Sequence, residues 1–318
     1  MSRTMVSRSP IPLMLLVAFL AVPALAGASD TSFLVVMATR VMIFAIAALS
    51  LDLILGYGAM VSFGHAAFIG IGAYAVGIGA AHEVYNGLVT FPIAILGAGL
   101  FALITGAICL RTRGVYFIMI TLAFGQMAYF TASSLSAYGG DDGLTMWGRS
   151  EFFGVAVLDD PTVFYFVVLG CLIVCWGLAS ALVGSRFGRV IRGVRENRVR
   201  MQAVGYDPYR YQLAAYAIAG MMAGLAGALL ANHAEFVSPA YMSWQRSGEL
   251  IIMVVLGGMG SLYGAILGAI AYLVTEEVLS RYTEHWRVIF GPMLIVIVIY
   301  ARGGLSRLLD PPRHGADG

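Results

Sequence analysis

Apolar residues in this chain form long runs, without the regular apolar–polar alternation of half-buried strands or the one-faced pattern of helices in soluble domains. A helix of about 20 apolar residues crosses a bilayer core about 30 Å thick. On a window of about 19 residues, the runs therefore predict transmembrane helices. The runs are 11–28, 33–56, 59–81, 88–110, 115–135, 163–183, 211–231, 250–274 and 288–300.

Two runs leave the number of spans open. The run 11–28 ends in Ala24-Leu25-Ala26, which resembles a signal-peptidase site, but an uncleaved first span is the favoured interpretation. Glycines interrupt 250–274, so it is either two short spans or one span and a re-entrant hairpin. The chain is therefore expected to be an all-α, polytopic integral membrane protein with about eight to ten transmembrane helices in a single domain, 1–318.

Composition narrows the class of protein further. The chain is 60% hydrophobic and 11% charged, whereas soluble domains are about 25% charged. This excludes an ordinary soluble enzyme, a disordered protein and a nucleic-acid binder. All 19 basic residues are arginine, and a phosphate-binding P-loop requires a lysine. Any use of ATP must therefore come from another chain.

The charges separate into two groups if ten crossings are assumed. One face collects 14 arginines and four acidic residues, a net +10, and the other collects 12 acidic residues and four arginines, a net −8. The excess of arginine places the first face, with both termini, in the cytoplasm. Arg40 and Asp52 remain within the membrane. They are 12 residues apart, about 18 Å along a helix, so Arg40 is expected to pair with another helix or reach a polar cavity, and Asp52 to lie near the cytoplasmic end.

The segment 185–210 is the longest basic segment of the chain. Its mixture of apolar and basic residues predicts a short helix parallel to the membrane, with a stop at Gly205 and a turn before Pro208. One interpretation is an anchor for anionic membrane lipid. The other is a coupling helix that docks into a cytoplasmic partner, which the length of the loop favours. Its arginines recur every third residue: Arg186, Arg189, Arg192, Arg195 and Arg198.

Two glycine-rich segments, 55–74 and 256–272, share a similar order of glycine, serine and tyrosine. Such paired segments indicate internal repeats that flank a substrate path. The first places Ser62 and His65 at membrane depth, where an ionisable residue is a candidate functional residue. A neutral histidine bonded to a neighbouring helix is the alternative. Small residues four apart, such as Gly220 and Gly224 or Gly264 and Gly268, predict close helix packing.

The outer loop, 137–161, contains the turn sequence Gly139-Gly-Asp-Asp-Gly143. Asp141 and Asp142 lack the alternating oxygen ligands of a calcium loop, so a solvated turn or docking surface is expected. The sequence has neither a Ser/His/Asp nor a metal-binding motif. We therefore expect no enzymatic activity, cofactor or metal in this chain.

Five ordered stretches resemble the LivM-type permease subunits of branched-chain amino acid ABC importers. They span nearly the whole chain. The stretches are Gly56-Tyr-Gly…Ser62-Phe-Gly-His-Ala-Ala-Phe68, Arg113-Gly-Val-Tyr-Phe…Thr121-Leu-Ala-Phe124, Gly139-Gly-Asp-Asp-Gly-Leu144, Gly188-Arg…Arg195-Glu-Asn…Ala203-Val-Gly205, and Gly248-Glu-Leu…Leu256-Gly-Gly-Met-Gly-Ser261.

The resemblance implies an ABC importer permease fold in a bacterial inner membrane. It also implies a LivH-type permease partner, two ABC ATPase subunits that bind ATP and Mg, and a periplasmic substrate-binding protein. The 185–210 loop corresponds to the ATPase-coupling loop, although only Ala203 and Gly205 match the common Glu-Ala-Ala-x-x-x-Gly pattern.

The candidate site residues form three groups. Those for ATPase coupling are Gly188, Arg189, Arg192, Arg195, Glu196, Ala203 and Gly205. Those for the translocation path are Arg40, Ser62, Gly64, His65, Gly257, Gly258 and Gly260. Those facing the binding protein are Gly140, Asp141, Asp142 and Gly143.

The expected function is therefore half of a translocation path for branched-chain amino acids, worked by alternating access and driven by partner ATPases. A stand-alone secondary transporter or channel is the alternative class, and it would need an ion relay built from Arg40, Asp52 and His65. Urea, amides and other amino acids are alternative substrates.

Overall fold

The structure, a computed structural model, describes residues 11–29, 32–152, 154–283, 285, 288–293 and 303–306. The main elements of this part of the chain are eleven α-helices and one two-stranded antiparallel ribbon; residues 288–293 are also helical. The helices are α1 Ile11–Ser29, α2 Ser32–Leu55, α3 His65–Ala81, α4 Gly87–Cys109, α5 Val115–Ser134, α6 Pro161–Gly184, α7 Arg186–Glu196, α8 Arg198–Ala203, α9 Pro208–Ala234, α10 Trp244–Gly257 and α11 Leu262–Tyr282. The strands are β1 Leu144–Thr145 and β2 Phe236–Val237.

The helices follow the apolar runs, which confirms the all-α, multi-pass prediction. Within the described residues, six helices are long and apolar enough to cross a membrane, and α1 and α3 are shorter apolar helices. The run 59–81 becomes helical only at His65. Ala59 has a φ of 54°, a left-handed conformation that a helix does not continue through. The chain therefore makes a turn between Leu55 and His65. Most of the last run, 294–300, lies outside the described residues.

The run 250–274 divides into two antiparallel helices, α10 and α11, and the choice between two short spans and one span with a re-entrant hairpin stays a prediction. The break lies at Gly258 and Gly260, whose φ angles are 110° and 80°. Helix α10 begins six residues before the run, at Trp244. It has 14 residues, about 21 Å of helix, so it does not cross the full hydrocarbon layer.

Helix α9 is the central helix of the bundle and packs against α2, α3 and α4. Its glycines allow backbone-to-backbone contact. A Cβ at Gly227 would lie 1.9 Å from the Ile69 carbonyl oxygen of α3, and a Cβ at Gly224 would lie 2.5 Å from the Ala98 Cβ of α4. Close packing of small residues is the main attraction between helices in lipid, so the prediction from Gly220 and Gly224 is confirmed.

The bundle has two chemically different ends. We call the end with Arg111, Arg113, α7 and α8 the arginine-rich end, and the end with Glu83, the Gly139–Gly143 turn and the 159–160 aspartates the acidic end. Helix α2 runs from the acidic end towards the arginine-rich end, and α11 runs back, since Arg281 stacks on Phe33 at 4.9 Å.

Candidate functional site

The basic segment at the arginine-rich end folds as two short helices. The sequence predicted one helix followed by a turn, whereas Asn197 ends α7 and caps α8 by accepting the amide hydrogen of Arg200 at 2.9 Å. Asparagine favours such a cap because its side chain bonds the free amide of the first turn. Gly205, with a φ of 94°, ends the segment as predicted, and Pro208 begins α9.

The inner face of α7 packs against the end of α6. Gly188 is buried there, and a Cβ would lie 2.4 Å from the carbonyl oxygen of Val183. Arg192 donates to that same oxygen at 3.0 Å and to the Gly188 carbonyl at 3.3 Å. These two predicted coupling residues therefore hold α7 on α6, and Gly188 lies on the buried inner face of α7.

Arg195 joins α7 to the two glycine-rich segments. Its Nη1 donates to the Gly56 carbonyl at the end of α2. Close by, Asp52 Oδ1 accepts the amide hydrogen of Gly260 at 2.8 Å. A Cβ at Gly56 would lie 2.3 Å from the Gly260 nitrogen. The two segments that the sequence paired thus touch each other and the loop; we call Asp52, Gly56, Gly260 and Arg195 the glycine junction. Asp52 lies at the arginine-rich end, as predicted.

The outer face of the segment formed by α7 and α8 is exposed. Arg189, Glu196, Ala203 and Gly205 are exposed. Val199 and Val204 are 70% and 68% exposed, respectively. Sequence reasoning singled out the charged residues and missed these two valines. The signal in the sequence was the presence of apolar residues in an otherwise basic loop.

Three predicted path residues lie inside the packed bundle. Ser62, Gly64 and His65 are buried. Gly64 packs on the backbone of α5, where a Cβ would lie 2.3 Å from the Thr121 carbonyl oxygen. The Ser62 hydroxyl lies 3.4 Å from the Tyr216 hydroxyl of α9. These contacts seal the segment between α2 and α3 against α5 and α9, and a role in lining the path stays a prediction.

His65 bonds a neighbouring helix. Its Nε2 lies 2.8 Å from the Ser50 hydroxyl of α2, and that hydroxyl donates to the Ala47 carbonyl at 2.7 Å. The His65 Nδ1 has no partner among the described residues. The arrangement is a neutral histidine that links α2 to α3, which supports the structural alternative.

The glycines at the break between α10 and α11 are also enclosed. Gly257 and Gly258 are buried, and Gly260 is half-buried in the glycine junction. A Cβ at Gly257 would lie 1.8 Å from the Gly264 carbonyl oxygen. These glycines therefore allow α10 and α11 to meet closely, as the spacing of Gly264 and Gly268 predicted.

Arg40 pairs with another helix, one of the two predicted possibilities. Its Nη2 lies 3.5 Å from Glu276 Oε2 in α11. The charge count assigned Glu276, Arg246 and Glu249 to the outer face, and in the structure all three lie within helices. Arg40 and Arg246 both lie near the Phe44 ring, at 5.9 and 5.8 Å from its centroid, so α2, α10 and α11 meet in a charged cluster.

A polar cavity opens beside that cluster, between α5 and the start of α10. Its volume is about 460 Å³. Arg246 and Glu249 face it and form an ion pair of 2.7 Å. Sequence reasoning missed this site; the signal was a pair of opposite charges three residues apart, directly before an apolar run. We call it the α5–α10 cavity, and its lining residues are Gln126, Tyr129, Ala240, Ser243, Trp244, Gln245, Arg246 and Glu249.

The Gly139–Gly143 turn lies at the acidic end. Gly139 and Gly143 have φ angles of 87° and 84°, which a residue with a side chain rarely adopts. The turn leads into β1, which pairs with β2 after α9. Asp141 and Asp142 are exposed, so a solvated turn or docking surface fits, and contact with a binding protein stays a prediction.

Comparison with known proteins agrees with this architecture. Residues 33–298 match the family described as "Branched-chain amino acid transport system / permease component". The chain is 29% identical to the high-affinity branched-chain amino acid transport system permease protein LivM of Escherichia coli, over 86% of this chain and 70% of that protein. It is 24% identical to a probable LivM of Methanocaldococcus jannaschii, over 85% and 93% of the two chains.

A second group of relatives matches a shorter part. The LivH permease protein of Salmonella typhimurium is 28% identical over 50% of this chain and 52% of its own length. No solved structure matches. With its apolar helices and a family match over most of its length, this chain belongs to the permease components of branched-chain amino acid transport systems, as a multi-pass membrane protein.

Proposed function

We propose that the chain forms one half of an ATP-driven import path for branched-chain amino acids and that partner chains hydrolyse the ATP. The glycine junction carries this proposal. It ties the exposed α7–α8 loop, through Arg195, to the breaks that end α2 and α10. A partner that moves the loop would therefore move both helices, which is the mechanical requirement of alternating access.

The partners follow from the surfaces. The exposed valines and arginines of α7 and α8 suit docking of an ATPase, with anionic lipid around the arginines.

The α5–α10 cavity opens at the side of the bundle, where α5 exposes Met127 and Phe130. A second permease subunit would close it. Similarity to LivH proteins over half of the chain supports a partner of the same fold. A periplasmic binding protein would dock at the acidic end.

The orientation follows from charge. An arginine-rich end faces the cytoplasm in most membrane proteins. We place α7 and α8, together with both termini, on the cytoplasmic side. The Gly139–Gly143 turn then lies on the periplasmic side of the inner membrane.

The first test is uptake by proteoliposomes that contain this chain, a LivH-type subunit, two ATPases and the binding protein. Uptake of radiolabelled L-leucine is expected only with ATP and the two ATPases together, because ATP drives the proposed cycle and this chain contains no lysine for a P-loop of its own. The chain alone, with an ion gradient, is the control and is expected to give none. Uptake under that condition would contradict the proposal and favour a secondary transporter. Stimulation of ATP hydrolysis by leucine, urea or amides would identify the substrate.

A further inference from the structure

Arg246 and Glu249 lie at membrane depth. Arg246 is close to Phe44, which is 12 residues from the start of α2 at the acidic end, about 18 Å along that helix. Charged side chains are costly at such depth, where they are found mainly on substrate or ion paths. The pair of Arg149 with Glu235, by contrast, lies at the acidic end of the bundle. The pair of Arg246 with Glu249 therefore calls for a functional explanation.

The pair is accessible from the α5–α10 cavity. The Arg246 side chain is 33% exposed and that of Glu249 is 17% exposed. The cavity, about 460 Å³, falls within the range of about 300–1,000 Å³ for small-molecule sites. Arg246 is also held in place by the Phe44 ring. A preorganised cation and an adjacent carboxylate thus face a space large enough to hold an amino acid.

The charged groups that line the cavity complement the α-carboxylate and the α-ammonium group that amino acids share. A guanidinium binds a carboxylate through two parallel hydrogen bonds, and a carboxylate accepts hydrogen bonds from an ammonium group. Gln126 and Ser243 provide further polar groups, and the rings of Tyr129 and Trp244 provide apolar surface for an aliphatic side chain. Binding would exchange one Arg–Glu pair for two pairs with the ligand.

We propose that the α5–α10 cavity binds the zwitterionic end of the transported amino acid, with the α-carboxylate at Arg246 and the α-ammonium group at Glu249. This inference rests on the proposed function, since it names the part of the substrate that this half of the path recognises. It restricts the substrates to zwitterions and excludes urea and simple amides.

The test is ATP-dependent uptake of radiolabelled L-leucine by the complete complex with Arg246→Gln or Glu249→Gln. Each substitution is expected to lower uptake by about tenfold or more, because a lost bond to a charged group weakens binding by about that factor. Arg281→Gln is the matched control, since Arg281 forms the same kind of pair with Glu277 at the far end of α11. It is expected to leave uptake unchanged.

A double variant separates recognition from a structural role. The exchange Arg246→Glu with Glu249→Arg keeps an ion pair and the net charge of α10. If the pair only stabilises the helix, the exchange restores uptake, and the inference is wrong. If the pair binds the two charged groups of the substrate in one fixed orientation, uptake stays lowered by about tenfold. Should Arg246→Gln fail to assemble with its partners, Glu249→Gln decides the question.

The outcomes also distinguish the two proposals. A wild-type complex that takes up no L-leucine with ATP would overturn the proposed function. A wild-type complex that takes it up, with Arg246→Gln and Glu249→Gln equally active, would overturn the recognition site alone.

Discussion

Replacing Gly227 with alanine is expected to destabilise the bundle by about 3 kcal/mol or more, at the upper end of what overpacking costs. The added Cβ would lie 1.9 Å from the Ile69 carbonyl oxygen and 3.0 Å from the Ala73 nitrogen. Both neighbours are backbone atoms of α3, so no side chain can rotate away. Helices α3 and α9 would have to separate, and their close packing is the main attraction between them in lipid.

The loss is measurable as a lower melting temperature of the purified protein in detergent, followed by helical circular dichroism. Gly177→Ala is the matched control. It lies in α6 with nothing within 4 Å of its Cβ, so alanine there is expected to be neutral or stabilising by about 0.5–1 kcal/mol. Equal melting temperatures for the two variants would contradict the close backbone contact between α3 and α9 at Gly227.

Arg195→Glu is expected to reduce ATP-driven uptake of L-leucine by about 100-fold, the effect of losing a coupling free energy of about 3 kcal/mol. The substitution removes the donor to the Gly56 carbonyl and places a second carboxylate beside Asp52. Like charges would push α7 away from the glycine junction. ATP hydrolysis by the proposed ATPase partners is expected to continue, but the loop would no longer move α2 and α10.

The measurements are uptake and ATP hydrolysis by the same proteoliposomes, with the amount of inserted protein as a check. Arg210→Gln is the control in the same region. Its side chain is 84% exposed and pairs with Asp207 on the surface, and such pairs contribute about 0–1 kcal/mol. Wild-type uptake by Arg195→Glu would rule out coupling through the junction.

The sequence predicted the apolar helices because the thickness of a bilayer sets the length of an apolar run. The run 115–135, for example, is α5, Val115–Ser134. It also predicted that Gly205 and Pro208 end the basic loop, since glycine readily adopts the positive φ of 94° found at position 205 and proline fixes its own φ. The predicted helix start at residue 59 was wrong, because Ala59 has a left-handed conformation and α3 begins only at His65. No composition pattern announces such a turn.

The charges show a second kind of limit. The charge count assigned Arg246, Glu249 and Glu276 to the outer face of the membrane because a lone charge is costly in lipid. In the structure Glu276 neutralises Arg40, and Glu249 neutralises Arg246. A charge paired across helices, or facing a cavity, can lie at membrane depth, but the pairing is not visible along the chain.

The sequence by itself thus determined that this protein lies in a lipid bilayer, that it is helical and which part of its surface carries the arginines. Each of these depends on composition and on residues that are neighbours in the chain. The tertiary structure decided which residues meet. It joined Arg195 to Gly56 and Asp52 to Gly260, and it enclosed His65 against Ser50. It also opened the α5–α10 cavity. Such contacts depend on how helices distant in sequence cross, and close approach at glycine sets those crossings.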